Sequence, residues 1–326
     1  MRVLITGASG FLGRELTKEL LKRGELGGCL IEHLTLTDLV SHGNPDIVTD
    51  PRVVVHQGDL SESLPKLFES PFDAVFHLAS AVSAECELDF DLGLRANLST
   101  TQALLEQLRA QHSASGATPL LFFASSVAVF GGDDGVRLPD VITDTTLPVP
   151  QSSYGVHKFV CEQLIADYTR KGFIDGRLAR LMTVSVRPGR PNGAASGFLS
   201  GIVREPLAGK TTICPVDPAT QVALASPANT IAGILTVCNA SRDDLRGRTA
   251  INLPALTVSV HDMLEALEEI AGSETRHLVT EQIDPAVVRV VGSWPARFDS
   301  ERAKHLGLVA DASFHDVIHQ YIDSLD

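Results

Sequence analysis

No stretch of about eighteen apolar residues occurs anywhere in the 326-residue chain, so no transmembrane helix is expected. The N-terminal apolar run Val3-Leu4-Ile5 is too short for a secretory signal and leads directly into a glycine motif, which reads as a cytoplasmic protein. Basic residues are scarce: 27 Lys and Arg stand against 40 Asp and Glu, a formal charge of −13. That excess argues against a general affinity for nucleic acid or an anionic membrane. It leaves room for a small anionic ligand, because a few arginines can reverse the field inside one cleft. The five cysteines (Cys29, Cys86, Cys161, Cys214, Cys238) are odd in number and scattered. None forms a Cys-x-x-Cys pair or a zinc-like spacing, so neither a disulfide framework nor a metal site is expected. Internal repeats and low-complexity tracts are missing as well. What remains, 44% hydrophobic and 21% charged residues, is ordinary globular composition and excludes a disordered or fibrous chain.

The first half alternates short β-branched runs with helical periodicity. Val3–Thr6, Leu34–Thr37, Val53–Val55, Ala74–Leu78 and Leu120–Ala124 read as strands, and a further strand is expected near Leu181–Val186. Phe11–Arg23, Leu92–Gln111 and Tyr154–Lys171 read as helices. Later helical patterns fall around Pro227–Cys238, His261–Ala271 and Phe314–Leu325. Strands alternating with helices, the strands apolar throughout, predict an α/β fold: a doubly wound parallel sheet of the Rossmann type, covered on both faces. After Arg187 the sequence turns small, polar and rich in Gly and Pro. We place a boundary there, with 1–187 as a nucleotide-binding domain. Residues 188–326 are expected to form mainly a smaller substrate lobe, with parts packing back on the sheet.

Gly7-Ala8-Ser9-Gly10-Phe11-Leu12-Gly13 lies between the first strand and the first helix. A turn at that place puts backbone N–H groups and a helix N-terminus against a pyrophosphate, with no Cβ in the way. Asp38 closes the second strand, where a carboxylate accepts from adenosine ribose hydroxyls and repels a 2′-phosphate. No Arg or Lys follows in Leu39-Val40-Ser41-His42, so NAD is expected rather than NADP. Gly58-Asp59-Leu60 follows the third strand, where Asp59 can meet the adenine amino group with help from the next residue's backbone, although Gly-Asp is also an ordinary turn. After the fourth strand come Leu78 and Ala79, small or apolar neighbours for a cofactor. His77 is read as structural.

Tyr154 and Lys158 stand four apart on a predicted helix and so share a face. A phenol with a pKa near ~10 is a poor base at neutral pH. A neighbouring ammonium, with the positive nicotinamide ring, is expected to favour the phenolate. Ser125-Ser126 ends the fifth strand, at the edge of an open α/β sheet where ligands bind.

In combination, Gly7-x-x-Gly10-x-x-Gly13, Asp38, Gly58-Asp59, Ser125-Ser126, Tyr154-x-x-x-Lys158 and Arg187-Pro188-Gly189 resemble the extended short-chain dehydrogenase/reductase superfamily over about the first 190 residues. The resemblance implies a catalytic set of Ser126, Tyr154 and Lys158. It implies a cofactor set of Gly7, Gly10, Phe11, Leu12, Gly13, Asp38, Asp59, Leu60, Leu78, Ala79, Asn97, Ser125, Tyr154, Lys158 and Pro188. It also implies a homodimer built on the helices Leu92–Gln111 and Tyr154–Lys171.

The segment from Ser185 to Leu207 resembles the corresponding stretch of D-erythronate dehydrogenases, as do Pro215–Thr220 and Ala225–Pro227. This implies NAD-dependent oxidation of a four-carbon sugar acid at C2, D-erythronate giving 2-dehydro-D-erythronate. A carboxylate carried into a dry cleft must be paired. Arg187, Arg190 and Arg204 cluster in this segment, and at least one is expected to hold it; ion pairs at the surface or between lobes are the other use open to them. Asn192 and Ser196 are candidates for the substrate hydroxyls, and Ser126 and Tyr154 would touch the reacting oxygen. The alternative is a sugar-nucleotide epimerase or dehydratase with tightly held NAD, against which stands the shortage of aromatic residues after Met182.

Overall fold

A computed structural model describes residues 1–189 and 195–325. Ten strands matter here: β1 (Arg2–Thr6), β2 (His33–Asp38), β3 (Val53–Gln57), β4 (Ala74–His77), β5 (Leu120–Ser126), β6 (Asp175–Leu181), β7 (Thr183–Val184), β8 (Gln221–Ala225), β9 (Ile251–Asn252) and β10 (Leu256–Ser259). Seven of them form one sheet in the order β3-β2-β1-β4-β5-β6-β9. Every neighbouring pair in it is parallel. The chain winds outward from β1 in one direction to β3 and in the other to β6. The crevice at this reversal, above the C-terminal ends of β1 and β4, is where such sheets bind ligands.

Eight helices flank the strands: α1 (Phe11–Arg23), α2 (Leu60–Leu67), α3 (Thr100–Ser115), α4 (Ser153–Arg170), α5 (Phe198–Leu207), α6 (Pro227–Asn239), α7 (Val260–Ala271) and α8 (Phe314–Asp323). Strand alternation decides the layers. Val3, Ile5, Leu36, Phe76 and Phe122 point to one face and bury Leu16 and Leu20 of α1 with Ile231, Ile234 and Leu235 of α6. Leu4, Val75, Leu121, Phe123 and Leu178 point to the other and meet Leu64 of α2, Leu104 and Leu108 of α3, and Cys161 and Ile165 of α4. A third core gathers Leu199, Ile202, Leu224, Val258, Met263, Leu267 and Ile318 between α5, α7, α8 and the small sheet β7-β8-β10. The chain beyond Arg187 therefore serves the large sheet as well as the third core, since α6 and β9 belong to that sheet.

The strand expected at Leu181–Val186 lies earlier, at β6, and only its tail continues as β7 into the small sheet. Two arginines hid it. Arg177 and Arg180 are buried in β6, a composition that does not read as an interior strand. Arg177 pairs through its two terminal nitrogens with the carbonyls of Val237 and Ala240 and with Asp175, and Arg180 is satisfied by Glu162 and Asn252. The helix read from Leu92 enters α3 through a π-helical turn, Leu94–Ser99. Among the described residues no helix is long and apolar enough to cross a membrane.

Candidate active site

The glycine loop joins β1 to α1 with no room for side chains. Gly7 has φ +69°, and a Cβ there would sit 2.6 Å from the amide N of Ala79. A Cβ on Gly13 would fall 2.2 Å from the carbonyl O of Gly7 and 2.6 Å from Cα of Ala8. Both obstacles are backbone and cannot swing aside. Gly10 caps α1 without any side-chain hydrogen bond, so no side chain competes for the first N–H groups of the helix. The loop fits a pyrophosphate. Gly13→Ala is expected to abolish NAD binding by calorimetry and to lower Tm by more than ~5 °C; native affinity in that variant would contradict this account of the turn.

Beyond the loop a cavity of about 510 Å³ is walled by Asp38, Val40, Asp59, Leu60 and Ala79. The Asp38 carboxylate accepts from the amide N–H of Ser9 at 2.9 Å, which ties the end of β2 to the glycine loop. Asp59 is the N-cap of α2, accepting from the amide N–H and hydroxyl of Ser61. These bonds, the hydroxyl's above all, hold its carboxyl below the usual range. In the role the sequence implies for it, Asp38 would supply a ribose acceptor and repel a 2′-phosphate, and removing its charge would take away both. Asp38→Ala should weaken NAD about tenfold and narrow its preference over NADP; an unchanged ratio of the two dissociation constants would count against the assignment.

A second cavity, about 280 Å³, shares Gly7, Gly10, Leu78 and Ser80 with the first and continues toward the end of β5. Ser126, Tyr154, Lys158 and Arg187 line it together, with Met182, Thr183, Ser196 and Trp294 on its walls. Tyr154 opens α4, whose start is fixed by the Ser152 hydroxyl accepting from the amide N–H of Gly155. Lys158, one turn on, donates from Nζ to the carbonyl of Ala124 at 2.9 Å and lies 5.5 Å from the centre of the Tyr154 ring. Burial pulls the Lys158 ammonium down to about 8 and pushes the Tyr154 phenol up to about 12. The expected lowering of the phenol by Lys158 is thus not what the protein alone produces. Desolvation dominates, and the Ser126 hydroxyl and the Arg187 charge oppose it.

A model of the NAD dependent epimerase/dehydratase family matches residues 3–224. The chain belongs to that family. Its cofactor is NAD, and the two joined cavities with their glycine cradle fit an extended dinucleotide. The chain is 46% identical over 329 residues to the D-erythronate dehydrogenase of Cupriavidus necator, spanning 99% of this chain and 98% of that protein. It is 39% identical to the D-erythronate dehydrogenase of Haemophilus influenzae, spanning 99% of each. Among solved structures it resembles the nucleoside-diphosphate-sugar epimerase from Agrobacterium tumefaciens, with TM-score 0.91 and 38% identity over 99% of this chain and 94% of that one.

In this family member the remaining candidates fall into distinct places. Ser125 lines the second cavity beside Ser126, and its hydroxyl donates to the buried carboxylate of Glu162. Asn97, on the π-turn, accepts from the amide N–H of Ala81 at 2.7 Å and donates to the Ala81 carbonyl at 3.1 Å, fixing the loop after β4. His77 bridges Thr6 and Thr101, and its full burial, ahead of the Lys158 charge, lowers it to about 3, so it stays neutral. Pro188 lines neither cavity; it borders a groove between α1, α6 and α8. Arg204 is braced by Glu205 and donates to the carbonyl of Arg187 at 2.8 Å. Arg187 itself carries a buried Nη2 that has no hydrogen-bond partner among the described residues. Arg190 and Asn192 lie outside the described residues. Sequence reading missed Glu162, Thr183 and Trp294. Glu162 had a signal, standing four residues after Lys158 on the same inward face; Trp294 had none, being far along the chain from every motif.

Proposed function

We propose that this NAD-dependent dehydrogenase oxidises the C2 hydroxyl of D-erythronate to 2-dehydro-D-erythronate through Ser126, Tyr154 and Lys158. The observation that carries this reading is Arg187: a half-buried guanidinium whose Nη2 has no hydrogen-bond partner among the described residues shares one small cavity with Tyr154 and Ser126. A carboxylate is the group that such a cation pairs with, beside a base positioned for the neighbouring hydroxyl. The two D-erythronate dehydrogenases of near-equal length support the same substrate.

NAD⁺, when bound, supplies the hydride acceptor. The phenolate of Tyr154 takes the proton of the C2 hydroxyl, and the hydroxyl of Ser126 donates to the same oxygen as its charge changes. Lys158 keeps positive charge beside the phenolate and returns the proton toward solvent. Arg187 fixes the carboxylate end, so that C2 rather than C3 meets the base. Residues 188–326 bring Ser196 and Trp294 to this cavity, and the rest of its described wall comes from residues before Pro188.

The test is NADH absorbance with D-erythronate, L-threonate, D-threonate and L-erythronate, with NADP⁺ in parallel and a nucleotide sugar as a separate arm. Turnover confined to D-erythronate and NAD⁺ is expected; turnover of the nucleotide sugar without net NADH would overturn the reading. Trp294 is the one tryptophan of the chain, so D-erythronate binding should also change intrinsic fluorescence. Phe90, Val156 and Val160 leave apolar surface at a groove beside the π-turn and α4. This supports a homodimer through those helices, which light scattering would register as twice 34.8 kDa.

A further inference from the structure

Behind the reacting cavity lies a charged pair that the proposed chemistry does not use. Glu162 and Arg180 are 1% and 5% exposed. Arg180 grips the carboxylate with two donors, Nε at 2.9 Å and Nη2 at 2.7 Å, and donates from Nη1 to Asn252 at 3.2 Å. Its guanidinium carbon lies 4.7 Å from the centre of the Phe130 ring. The remaining donor on Glu162 is the hydroxyl of Ser125.

Burying such a pair is no efficient way to stabilise a fold. Desolvation of both ions offsets their attraction, and apolar residues of similar volume often serve as well or better. The connections suggest a different use. Lys158 and Glu162 stand one turn apart on α4 and grip consecutive residues of β5: Lys158 the carbonyl of Ala124, Glu162 the hydroxyl of Ser125. The next residue is Ser126. The helix carrying Tyr154 and the strand end carrying Ser126 are thus pinned at two adjacent points, and Arg180 and Asn252 extend the brace to β6 and β9. Charge enters as well. Lys158 is faced by His77 from β4, by Cys86 from the helical segment Ser83–Leu88, and by Tyr154, His157, Cys161 and Glu162 from its own helix. Of these, Glu162 alone is a carboxylate.

We propose that Glu162 is a positioning residue, holding Ser126 in register with Tyr154 through Ser125 and setting a carboxylate one turn from Lys158. The proposal rests on the Ser-Tyr-Lys relay proposed above. Three variants test it: Ser125→Ala, Glu162→Gln, and Glu162→Met combined with Arg180→Met. Each is measured for kcat, for KM of NAD and D-erythronate, for Tm, and, without cofactor, for the Lys158 side-chain titration by NMR. Ser125→Ala should lose about tenfold in kcat with both KM values within about twofold and the Lys158 titration unmoved. Glu162→Gln should lose about a hundredfold in kcat and move the Lys158 titration down by about one unit. The double variant should recover native Tm, keep the low kcat and keep the lowered Lys158 titration.

Native kcat in Ser125→Ala, or kcat that returns with Tm in the double variant, overturns the proposal and leaves a structural brace only. A Lys158 titration unmoved in Glu162→Gln overturns its electrostatic half. The reading beneath it fails differently. Without the relay, Tyr154→Phe keeps its turnover; with another substrate, the native protein is silent on D-erythronate while the Lys158 titration still reports on Glu162.

Discussion

Replacing Tyr154 by Phe should lower kcat about a thousandfold while leaving the dissociation constant of NAD within about twofold. The substitution removes one oxygen from a cavity wall and keeps the ring that lies 5.5 Å from Nζ of Lys158. No hydrogen bond of the cofactor cradle depends on that hydroxyl, so binding should persist. The loss falls on proton transfer. In the protein alone the phenol is pushed up to about 12, chiefly by burial. The neutral form is therefore favoured until positive charge arrives with the nicotinamide ring. The sign for pH follows directly: oxidation needs the phenolate, so kcat/KM should rise with pH, by up to tenfold per unit, until the phenol has titrated. Rapid-mixing absorbance across pH, with calorimetry for NAD, checks both halves. Substantial turnover in Tyr154→Phe would remove this residue from the chemistry.

Arg187→Ala should raise KM for D-erythronate about a hundredfold, with a smaller loss in kcat and none in NAD affinity. Arg187 and Arg204 each carry a buried Nη2 without a hydrogen-bond partner among the described residues, but Arg187 is the one that lines the cavity with Tyr154 and Ser126, and burial has already lowered its pKa. A carboxylate settling there gains a charge-assisted bond that water no longer competes for. Arg187→Lys keeps the charge but loses the planar fork, so it should recover only part of the affinity. Arg204 offers the contrast. It lies outside that cavity, ion-paired with Glu205 and donating to the carbonyl of Arg187, so Arg204→Gln should be felt first in Tm and only weakly in KM. Steady-state kinetics on the three variants separates a substrate ligand from a structural brace; equal KM effects at both positions would contradict the distinction.

What the sequence made legible depended on whether a signal was local. The glycine turn, α1 and the Tyr154–Lys158 pair are set by spacing within a few residues, and α1 spans the expected Phe11–Arg23. β6 was misplaced because its buried arginines find their partners far along the chain, Glu162 and Asn252 for Arg180, and the carbonyls near Ala240 for Arg177. Ser125 lines the cavity beside Ser126 while its hydroxyl reaches Glu162, and strand alternation already puts that hydroxyl on the side of Phe123, toward α4. The period-two rule held the answer, and the motif obscured it. Asp59 shows a residue with two readings at once: its carboxylate caps α2 and still lines the dinucleotide cavity. Trp294 and Thr183 reach the catalytic cavity only through tertiary folding. No pattern in one dimension announces them.

The most direct measurement follows the hydrogen. D-Erythronate carrying deuterium at C2 is turned over with NAD⁺, and the reduced cofactor is weighed by mass spectrometry. The proposed chemistry predicts deuterium in the reduced cofactor and a slower turnover than with unlabelled substrate where hydride transfer limits the rate. Light reduced cofactor from the C2-labelled acid, with label appearing instead from C3-deuterated substrate, would contradict the placement of C2 against the base and with it the role given to Arg187.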